Sequence, residues 1–281
     1  MKISINLKQL DRWGDEKYKK LREIGFEAID FSSPLTMGHK EENSEKFLAA
    51  VMREKELIDA ANLEIYQFHG PWRYPPRDKT DKDRAERLEK MQTSIKACAA
   101  LGCKNWVIHP IMPFGCEDIS LGKQEETLKI NLEFFGELAK TAKSEGVNIC
   151  LENMPMPQFS ISTPKDILKA VKLLDDDCFK ICLDIGHIAV FKEIRIDNAI
   201  RDVKDYLVAI HAHDNMGKDD EHLIPHFGII DWNKVGKALR EIDYKGSFSL
   251  ETNIPQGLSD KHFDELVKLT YSIAEEIANQ N

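Results

Sequence analysis

The feature that most constrains the fold is a rhythm that repeats eight times along the chain. Each repeat has a short β-rich run and then a longer charged run with helical periodicity. The helical runs include residues 41–61, 83–101 and 125–145. Such alternation indicates parallel strands joined by crossover helices. The predicted strands are residues 2–7, 28–31, 64–69, 105–109, 148–152, 179–184, 207–211 and 247–251.

The even spacing of these eight units favours a closed sheet. A chain of 281 residues suits a (β/α)8 TIM barrel, which typically has about 250 residues. The alternative is an open doubly wound sheet, but no G-x-G-x-x-G or G-x-x-x-x-G-K-[ST] loop follows any strand. Because there is also no linker or low-complexity tract, we predict that residues 1–281 form a single (β/α)8 barrel domain.

Local signals mark the ends of several helices. Thr163 followed by Pro164 is typical of an N-cap with proline at the first helical position. Four glycines each fall between a helical run and the next strand, where a left-handed C-cap is expected: Gly25, Gly102, Gly146 and Gly246.

Composition narrows the class of protein. No apolar run approaches the roughly 20 residues that cross a bilayer, and the N-terminus enters a strand pattern directly, so we expect a cytoplasmic protein without a membrane partner. The six cysteines form no C-x-x-C pair and are interpreted as reduced, buried thiols. A net charge of −9 gives no reason to expect general attraction to nucleic acid.

Six successive strands each end in a side chain that can bind a metal. In a barrel these strand ends meet at the mouth, where active sites lie. Several carboxylates so close together would repel one another unless a cation lay between them. The strand-end residues, in chain order, are His69, His109, Glu152, Asp184, His211 and Glu251.

Three further segments add polar candidates. His187 comes three residues after the sixth strand, and residues 211–215 are unusually polar for the end of a buried strand. The loop 220–232 carries Asp220 and His222, and it also fits an ordinary polar loop leading to a helix capped by Asp231. Mixed carboxylate and imidazole ligands without thiolate suit Mn²⁺, Co²⁺, Zn²⁺ or Fe²⁺.

These motifs resemble the xylose isomerase-like barrels, which include sugar isomerases, sugar epimerases and endonuclease IV. The resemblance extends from residue 3 to about residue 277 and rests on four strand-end motifs together with the D-x-H…P-x-x-G-x-I-D-W pattern. That pattern starts at Asp220, and the strand-end motifs are 151–153, 183–187, 210–214 and 250–252.

The resemblance implies roles for the central residues. The primary metal ligands would be Glu152, Asp184, His211 and Glu251, holding Mn²⁺, Co²⁺ or Zn²⁺, with Mg²⁺ as an alternative. Glu152 and Glu251 would transfer protons at the carbon beside a sugar carbonyl, and His187 would contact a substrate oxygen. Two carboxylates flanking an enediolate can remove a proton from one face and return it to the other.

The same resemblance leaves other functions open. His69, His109, Asp220 and His222 complete the three-metal pattern of endonuclease IV, which acts on abasic DNA. The segments 151–155 and 69–72 are closer to the sugar-enzyme branch. A lyase or dehydratase on a related keto sugar or keto-inositol, and a sugar-binding barrel without activity of its own, are further alternatives.

Other residues bear on the substrate. His226 stands where the family usually has glycine, and it would narrow the mouth, add a ligand or proton carrier, or face solvent. Trp72 and Arg73 follow the third strand and could stack on a sugar and bind its anionic group. The apolar loop 110–116, which includes Phe114, would form a wall over the site or contact a second subunit in a homodimer or homotetramer.

Overall fold

The computed structural model describes residues 1–32, 44–71 and 80–279, and these contain the eight predicted strands with helices between them. The strands are β1 (Lys2–Asn6), β2 (Ala28–Ser32), β3 (Glu64–His69), β4 (Asn105–Ile108), β5 (Asn148–Glu152), β6 (Phe179–Asp184), β7 (Leu207–His211) and β8 (Ser247–Leu250).

The helices, in chain order, are α1 (Lys17–Ile24), α2 (Ser44–Ala60), α3 (Asp81–Ala100), α4 (Gln124–Glu145), α5 (Pro164–Leu174), α6 (Ile185–Ala189), α7 (Ile196–Asp202), α8 (Trp232–Glu241) and α9 (Asp260–Asn279). The three helical runs predicted from periodicity correspond to α2, α3 and α4 of the structure, within a few residues at each end. Two 3₁₀ segments, Leu7–Gln9 and Asp11–Glu16, connect β1 to α1.

All eight strands belong to one parallel sheet that closes on itself. The strand order is β7-β6-β5-β4-β3-β2-β1-β8, so β1 pairs with both β2 and β8. The remaining seam, between β7 and β8, is joined just beyond β7 by a parallel bridge between Ala212 and Leu250. There the Ala212 N–H donates to Ser249 O at 2.7 Å and the Glu251 N–H donates to Ala212 O at 3.1 Å. The predicted (β/α)8 barrel is therefore confirmed.

A small apolar layer lies inside the barrel below its polar mouth. Its members are Val107, Cys150, Cys182 and Ala209, which pack together as a buried cluster separate from the main core. Side chains two residues apart on a strand share a face. The same strands therefore present His109, Glu152, Asp184 and His211 one step closer to the mouth, above this apolar layer.

Most of the predicted helix ends are confirmed. Thr163 caps α5 in a reciprocal capping box with Asp166, and Gly146 ends α4 in the left-handed conformation at φ 68°. The prediction for Gly246 is wrong, because the left-handed residue after α8 is Asp243 at φ 54°. Glycine is required at 246 for another reason: a Cβ there would lie 2.1 Å from the Tyr244 hydroxyl oxygen.

The six cysteines are free thiols, as predicted, and five of them are buried while Cys116 is half-buried. Among the helices in the described part of the chain, none combines the length and the apolar character that a membrane-spanning segment needs.

Candidate active site

The polar residues predicted at the strand ends converge at the carboxyl end of the barrel. Their ligand-type atoms fall into groups in which all members lie within 4.8 Å of one another. The first group consists of His69, His109 and Glu152. The second, which we call the inner cluster, consists of Glu152, Asp184, His211 and Glu251. All six strand-end residues thus belong to one of two groups that share Glu152.

Glu152 lies at the centre of this arrangement and is almost completely buried. Its Oε2 is 3.1 Å from His109 Nε2 and 3.3 Å from His69 Nε2. Its Oε1 is 2.9 Å from Nδ1 of His211. One carboxylate therefore faces three imidazoles, which is an arrangement suited to bridging two cation positions.

The inner cluster brings carboxylates from three strands around one imidazole. His211 Nδ1 lies 2.9 Å from Glu152 Oε1, 3.3 Å from Glu251 Oε2 and 3.8 Å from Asp184 Oδ2. Asp184 and His211 are fully buried, whereas the side chain of Glu251 retains 21% of its exposure. This gradient leaves Glu251 as the member of the cluster that faces the open mouth.

A third group, the outer cluster, lies beside the inner one and consists of His187, His213, Asp220 and His222. His213 Nε2 is 3.0 Å from Asp184 Oδ1, so Asp184 links the two clusters. His213 lies in the polar segment 211–215 noted above but is not one of the predicted ligands. Its spacing of two residues from His211 was the available signal, because that spacing places both rings on the same face of an extended strand.

The glycine before His187 makes room for the outer cluster. A Cβ at Gly186 would lie 2.0 Å from Cε1 of His213, so no other residue fits there without moving the ring. The rings of His213 and His222 stack with centroids 4.1 Å apart. The outer cluster is thus closely packed between α6, which carries His187, and the segment after β7, which carries the other three residues.

The loop that carries Asp220 and His222 is fixed by the buried carboxylate of Asp214. This carboxylate accepts hydrogen bonds from the backbone N–H groups of His226 and Ile230 and from the indole N–H of Trp232. The same loop leads to α8, which is capped by Asp231 as predicted. The Asp220 and His222 side chains are therefore presented by an ordered loop.

The hydrogen bonds of three histidines show which ring nitrogen is available to bind a cation. Nδ1 of His69, His187 and His222 lies 2.7–2.8 Å from the backbone oxygen of Gly70, Asn153 and Glu251 respectively. A carbonyl oxygen only accepts hydrogen bonds, so each Nδ1 carries the hydrogen. In the neutral ring the Nε2 lone pair then points towards the carboxylates, which is the orientation of metal-ligating histidines. The donor set of imidazoles and carboxylates fits Zn²⁺, Mn²⁺ or Co²⁺.

Electrostatics hold the carboxylates ionised despite their burial. Burial alone would raise the pKa of Glu152, but His211 and His109 hold that pKa well below its ordinary value. Burial would likewise raise the pKa of Asp184, and the nearby His187 and His213 lower it. Negative charge concentrated among imidazoles is the condition under which a divalent cation binds.

The neighbouring histidines differ in proton affinity. Burial lowers the pKa of His109 below its ordinary value, because Glu152 compensates only in part. For His69 the hydrogen bond and charge of Glu152 outweigh burial, so the pKa is raised. In the outer cluster burial opposes protonation, but Asp184 and Asp220 raise the pKa of His187 to about 10. Asp220 and Glu251 similarly raise the pKa of His222 to about 9.

The residues predicted to contact substrate have mixed outcomes. Trp72 and Arg73 lie outside the described residues. Phe114 is half-buried, with the Lys123 ammonium 5.1 Å from its ring centroid. In the same loop Ile111 and Met112 are completely buried in the main core, so the apolar character of this loop is explained by packing within the barrel.

His226 is exposed and belongs to none of the three clusters. Its backbone lies in the left-handed region at φ 73°, a conformation that glycine adopts more easily than a residue with a side chain. This geometry agrees with the interpretation that its imidazole faces solvent.

Replacing His226 with glycine is therefore expected to leave metal affinity unchanged. The left-handed conformation costs a residue with a side chain about 1–2 kcal/mol, and glycine removes that cost while making the unfolded chain more flexible. We expect only a small change in the free energy of unfolding, measured by urea denaturation. A clear loss of metal affinity in the His226→Gly protein would instead identify the imidazole as a ligand.

The chain matches a known protein family over most of its length. The sequence profile of the xylose isomerase-like TIM barrels matches residues 18–272. The chain belongs to this family. The resemblance drawn from the strand-end motifs is thereby confirmed.

Several relatives with stated activities are sugar epimerases. An uncharacterised protein of Methanocaldococcus jannaschii is 30% identical over 211 residues, covering 73% of this chain and 70% of the relative. A D-psicose 3-epimerase of Ruminiclostridium cellulolyticum is 32% identical over 128 residues, covering 45% of this chain and 42% of that enzyme. The crystal structure of a D-tagatose 3-epimerase-like protein has a TM-score of 0.76 and 26% identity, covering 99% of this chain and 100% of that one.

Proposed function

We propose that this family member is a divalent-metal-dependent isomerase or epimerase acting on a sugar, sugar phosphate or keto-inositol. The observation that carries the proposal is the inner cluster, in which Glu152, Asp184 and Glu251 surround Nδ1 of His211 at the barrel mouth. The stated activities of the epimerase relatives support the same reaction class. Glu152, Asp184, His211 and Glu251 would hold Mn²⁺, Co²⁺ or Zn²⁺, with Mg²⁺ as an alternative.

When bound, the cation would polarise the substrate carbonyl and make the neighbouring carbon more acidic. Glu152 and Glu251 would then move the proton. They come from β5 and β8, which are separated in the barrel by β6 and β7, so their carboxylates approach the mouth from different sides. Removal of a proton by one and delivery by the other would invert a carbon centre, whereas return of the proton to the adjacent carbon would isomerise the sugar.

His187 would orient the substrate. Its ring is buried and fixed by the 2.7 Å hydrogen bond from Nδ1 to Asn153 O. Its Nε2 lies 3.7 Å from Asp184 Oδ2 and 3.3 Å from Asp220 Oδ2, directly beside the inner cluster. From this position it would contact a substrate oxygen near the reacting carbons.

Solvent-deuterium incorporation tests the proposed reaction. Protein stripped of metal and reloaded separately with Mn²⁺, Co²⁺, Zn²⁺ or Mg²⁺ would be incubated in D₂O with free and phosphorylated ketoses and with keto-inositols. We expect deuterium at a carbon beside the carbonyl, detected by NMR, with at least one metal and not with stripped protein. The labelled position and the product separate epimerase from isomerase, and loss of water would identify a lyase or dehydratase.

Failure of exchange with every substrate and metal would reject the proposal. Tight binding of sugar and metal without exchange would indicate a sugar-binding barrel or a subunit that needs a partner. The conclusion requires that metal loading is verified in the same samples by elemental analysis.

The three adjoining clusters favour a second candidate, metal-dependent hydrolysis of a phosphodiester such as abasic DNA. Glu152 is shared by two groups, and Asp184 connects the inner cluster to His213 of the outer one. Closely spaced cations can stabilise the attacking and leaving oxygens of a phosphoryl transfer. Incision of an abasic duplex by metal-loaded protein would support this candidate, and the absence of incision with each metal would dismiss it.

A further inference from the structure

Asp30 lies inside the barrel on β2 and is completely buried, although no sequence motif selected it. Its Oδ2 lies 3.0 Å from Nε2 of His211 and also accepts a hydrogen bond from Gln67 Nε2 at 3.0 Å. The Ser249 hydroxyl donates to the same oxygen at 3.4 Å. Asp30 therefore contacts the far side of the only imidazole in the inner cluster.

The chemistry of this contact decides which nitrogen of His211 faces a cation. Both nitrogens of His211 face carboxylates: Nε2 lies 3.0 Å from Asp30, and Nδ1 lies 2.9 Å from Glu152 and 3.3 Å from Glu251. A carboxylate only accepts hydrogen bonds, so a ring whose Nδ1 lone pair faces a cation must carry its hydrogen on Nε2, where Asp30 accepts it. The contact thus presents the correct tautomer of His211 to the inner cluster.

We propose that Asp30 is a positioning residue that fixes His211 as an Nδ1 ligand and strengthens metal binding at the inner cluster. A carboxylate hydrogen-bonded to the distal nitrogen orients a metal-binding imidazole and increases its basicity as a ligand. The inference rests on the proposed metal site, and it is independent of which sugar the protein acts on.

The surroundings of Asp30 argue against a purely structural role. A buried carboxylate is costly unless its charge is compensated, and Oδ1 of Asp30 has no hydrogen-bond partner among the described residues. Packing alone would be satisfied by an apolar side chain at this position. The contacts that compensate the charge of Asp30 are made by Oδ2, the oxygen that faces His211.

Gln67 contacts both Asp30 and the backbone of β7, the strand that carries His211. Besides donating to Asp30, its amide nitrogen lies 3.3 Å from the backbone oxygen of Ile210, the residue before His211. Asp30 and Gln67 together therefore hold both the imidazole and the adjacent backbone of β7.

The first test is the metal affinity of the Asp30→Asn protein. Asparagine keeps the size of the side chain and removes the charge, and its amide group can turn a donor towards Nε2. We expect Co²⁺ or Zn²⁺ to bind about 10–100-fold more weakly, as is typical when the partner of a ligating histidine is lost. Affinity would be measured by competition with a chromogenic chelator, and circular dichroism would verify that the variant is folded.

Ser249→Ala provides the matched control. It removes the longest hydrogen bond to the same Asp30 oxygen and leaves the contact with His211 in place. We expect its metal affinity to remain close to that of the wild-type protein. Equal losses in both variants would indicate a general disturbance of the barrel interior and would overturn the proposal.

A second measurement uses the wild-type protein and does not depend on the folding of a variant. In Zn²⁺-loaded protein with ¹⁵N-labelled histidine, long-range ¹H–¹⁵N correlation spectra distinguish a metal-bound nitrogen from a protonated one. We expect His211 to bind through Nδ1 and to carry its hydrogen on Nε2. Coordination through Nε2, or unchanged affinity in Asp30→Asn, would overturn the inference.

These results are distinguishable from failure of the proposed reaction. Normal Zn²⁺ binding through Nδ1, together with weaker binding by Asp30→Asn and no deuterium exchange in any substrate, would reject the isomerase proposal and uphold the role of Asp30. Absence of metal from the inner cluster of the wild-type protein would overturn both.

Discussion

The Glu152→Gln protein is expected to lose proton exchange by about 100–10,000-fold, the range that a positioned acid or base contributes, while the barrel remains folded. The loss is expected to extend to metal binding as well, because the Glu152 carboxylate belongs to two clusters. The amide keeps the shape of the side chain but has no charge and only one acceptor oxygen, so it can neither take up the substrate proton nor bridge two cation positions.

Metal affinity should fall in the same variant. Oε2 of Glu152 faces His69 and His109, and Oε1 faces His211, so either orientation of the amide places an NH₂ group against at least one imidazole. Glu251→Gln should lose exchange to a similar extent. In metal-free protein, Glu251→Gln should change the free energy of unfolding less than Glu152→Gln does, because Glu251 is partly exposed and has fewer close contacts.

Glu117→Gln is the matched control for both variants, because Glu117 is exposed on the loop after β4 at the same end of the barrel. Exchange rates would be measured by NMR under metal saturation, with the metal content and circular dichroism of each protein recorded. Near-normal exchange in both Glu152→Gln and Glu251→Gln would show that neither carboxylate transfers the proton.

The barrel and most of the candidate site could be predicted from the sequence because both follow from strand periodicity. A histidine or carboxylate at the end of an apolar run lies at the barrel mouth. An error of one residue in the predicted end of the strand does not change that position. His109 and Glu251, for example, lie one residue beyond β4 and β8 and still join their clusters.

Residues that act across the barrel were harder to predict. Asp30 contacts His211 only because β2 and β7 face each other in the closed sheet, a relation that sequence spacing does not contain. The available signal was a carboxylate within the apolar run of β2, since charged residues are rarely fully buried without a partner. Gly246 was misassigned for a similar reason, because its constraint comes from the position of the Tyr244 ring.

Metal-free protein is expected to become less stable as the pH rises from about 6.5 to about 10, because folding raises the pKa of His187 and His222 in the outer cluster and also that of His211 in the inner cluster. Asp220 Oδ2 lies 3.3 Å from Nε2 of His187 and 3.1 Å from Nε2 of His222. Although burial opposes protonation, the carboxylates raise the pKa of His187 to about 10 and that of His222 to about 9. Without metal, these protonated imidazoles balance the negative charge of the site.

The direction of the effect follows from the two states of the chain. In the unfolded chain both histidines have ordinary pKa values near 6.5, so the folded protein binds more protons between pH 6.5 and 10 and loses stability there. The stabilisation is complete below about pH 6.5 and disappears as the pH passes about 9 and then about 10. One such histidine corresponds to about 3–5 kcal/mol, or roughly 5–10 °C in Tm for a chain of this size.

A bound divalent cation should remove this dependence, because it replaces the protons on the imidazoles. Metal binding releases those protons, so the increase in Tm on adding Zn²⁺ or Co²⁺ should be larger at pH 8.5 than at pH 6. Thermal unfolding would be followed at both pH values with and without metal. His222→Gln should reduce the pH dependence of the metal-free protein, whereas His262→Gln, which alters an exposed histidine on α9, should not. A metal-induced increase in Tm that is equal at both pH values would contradict the displacement of protons from the outer cluster, and would place the stabilising cation where no protonated imidazole is displaced.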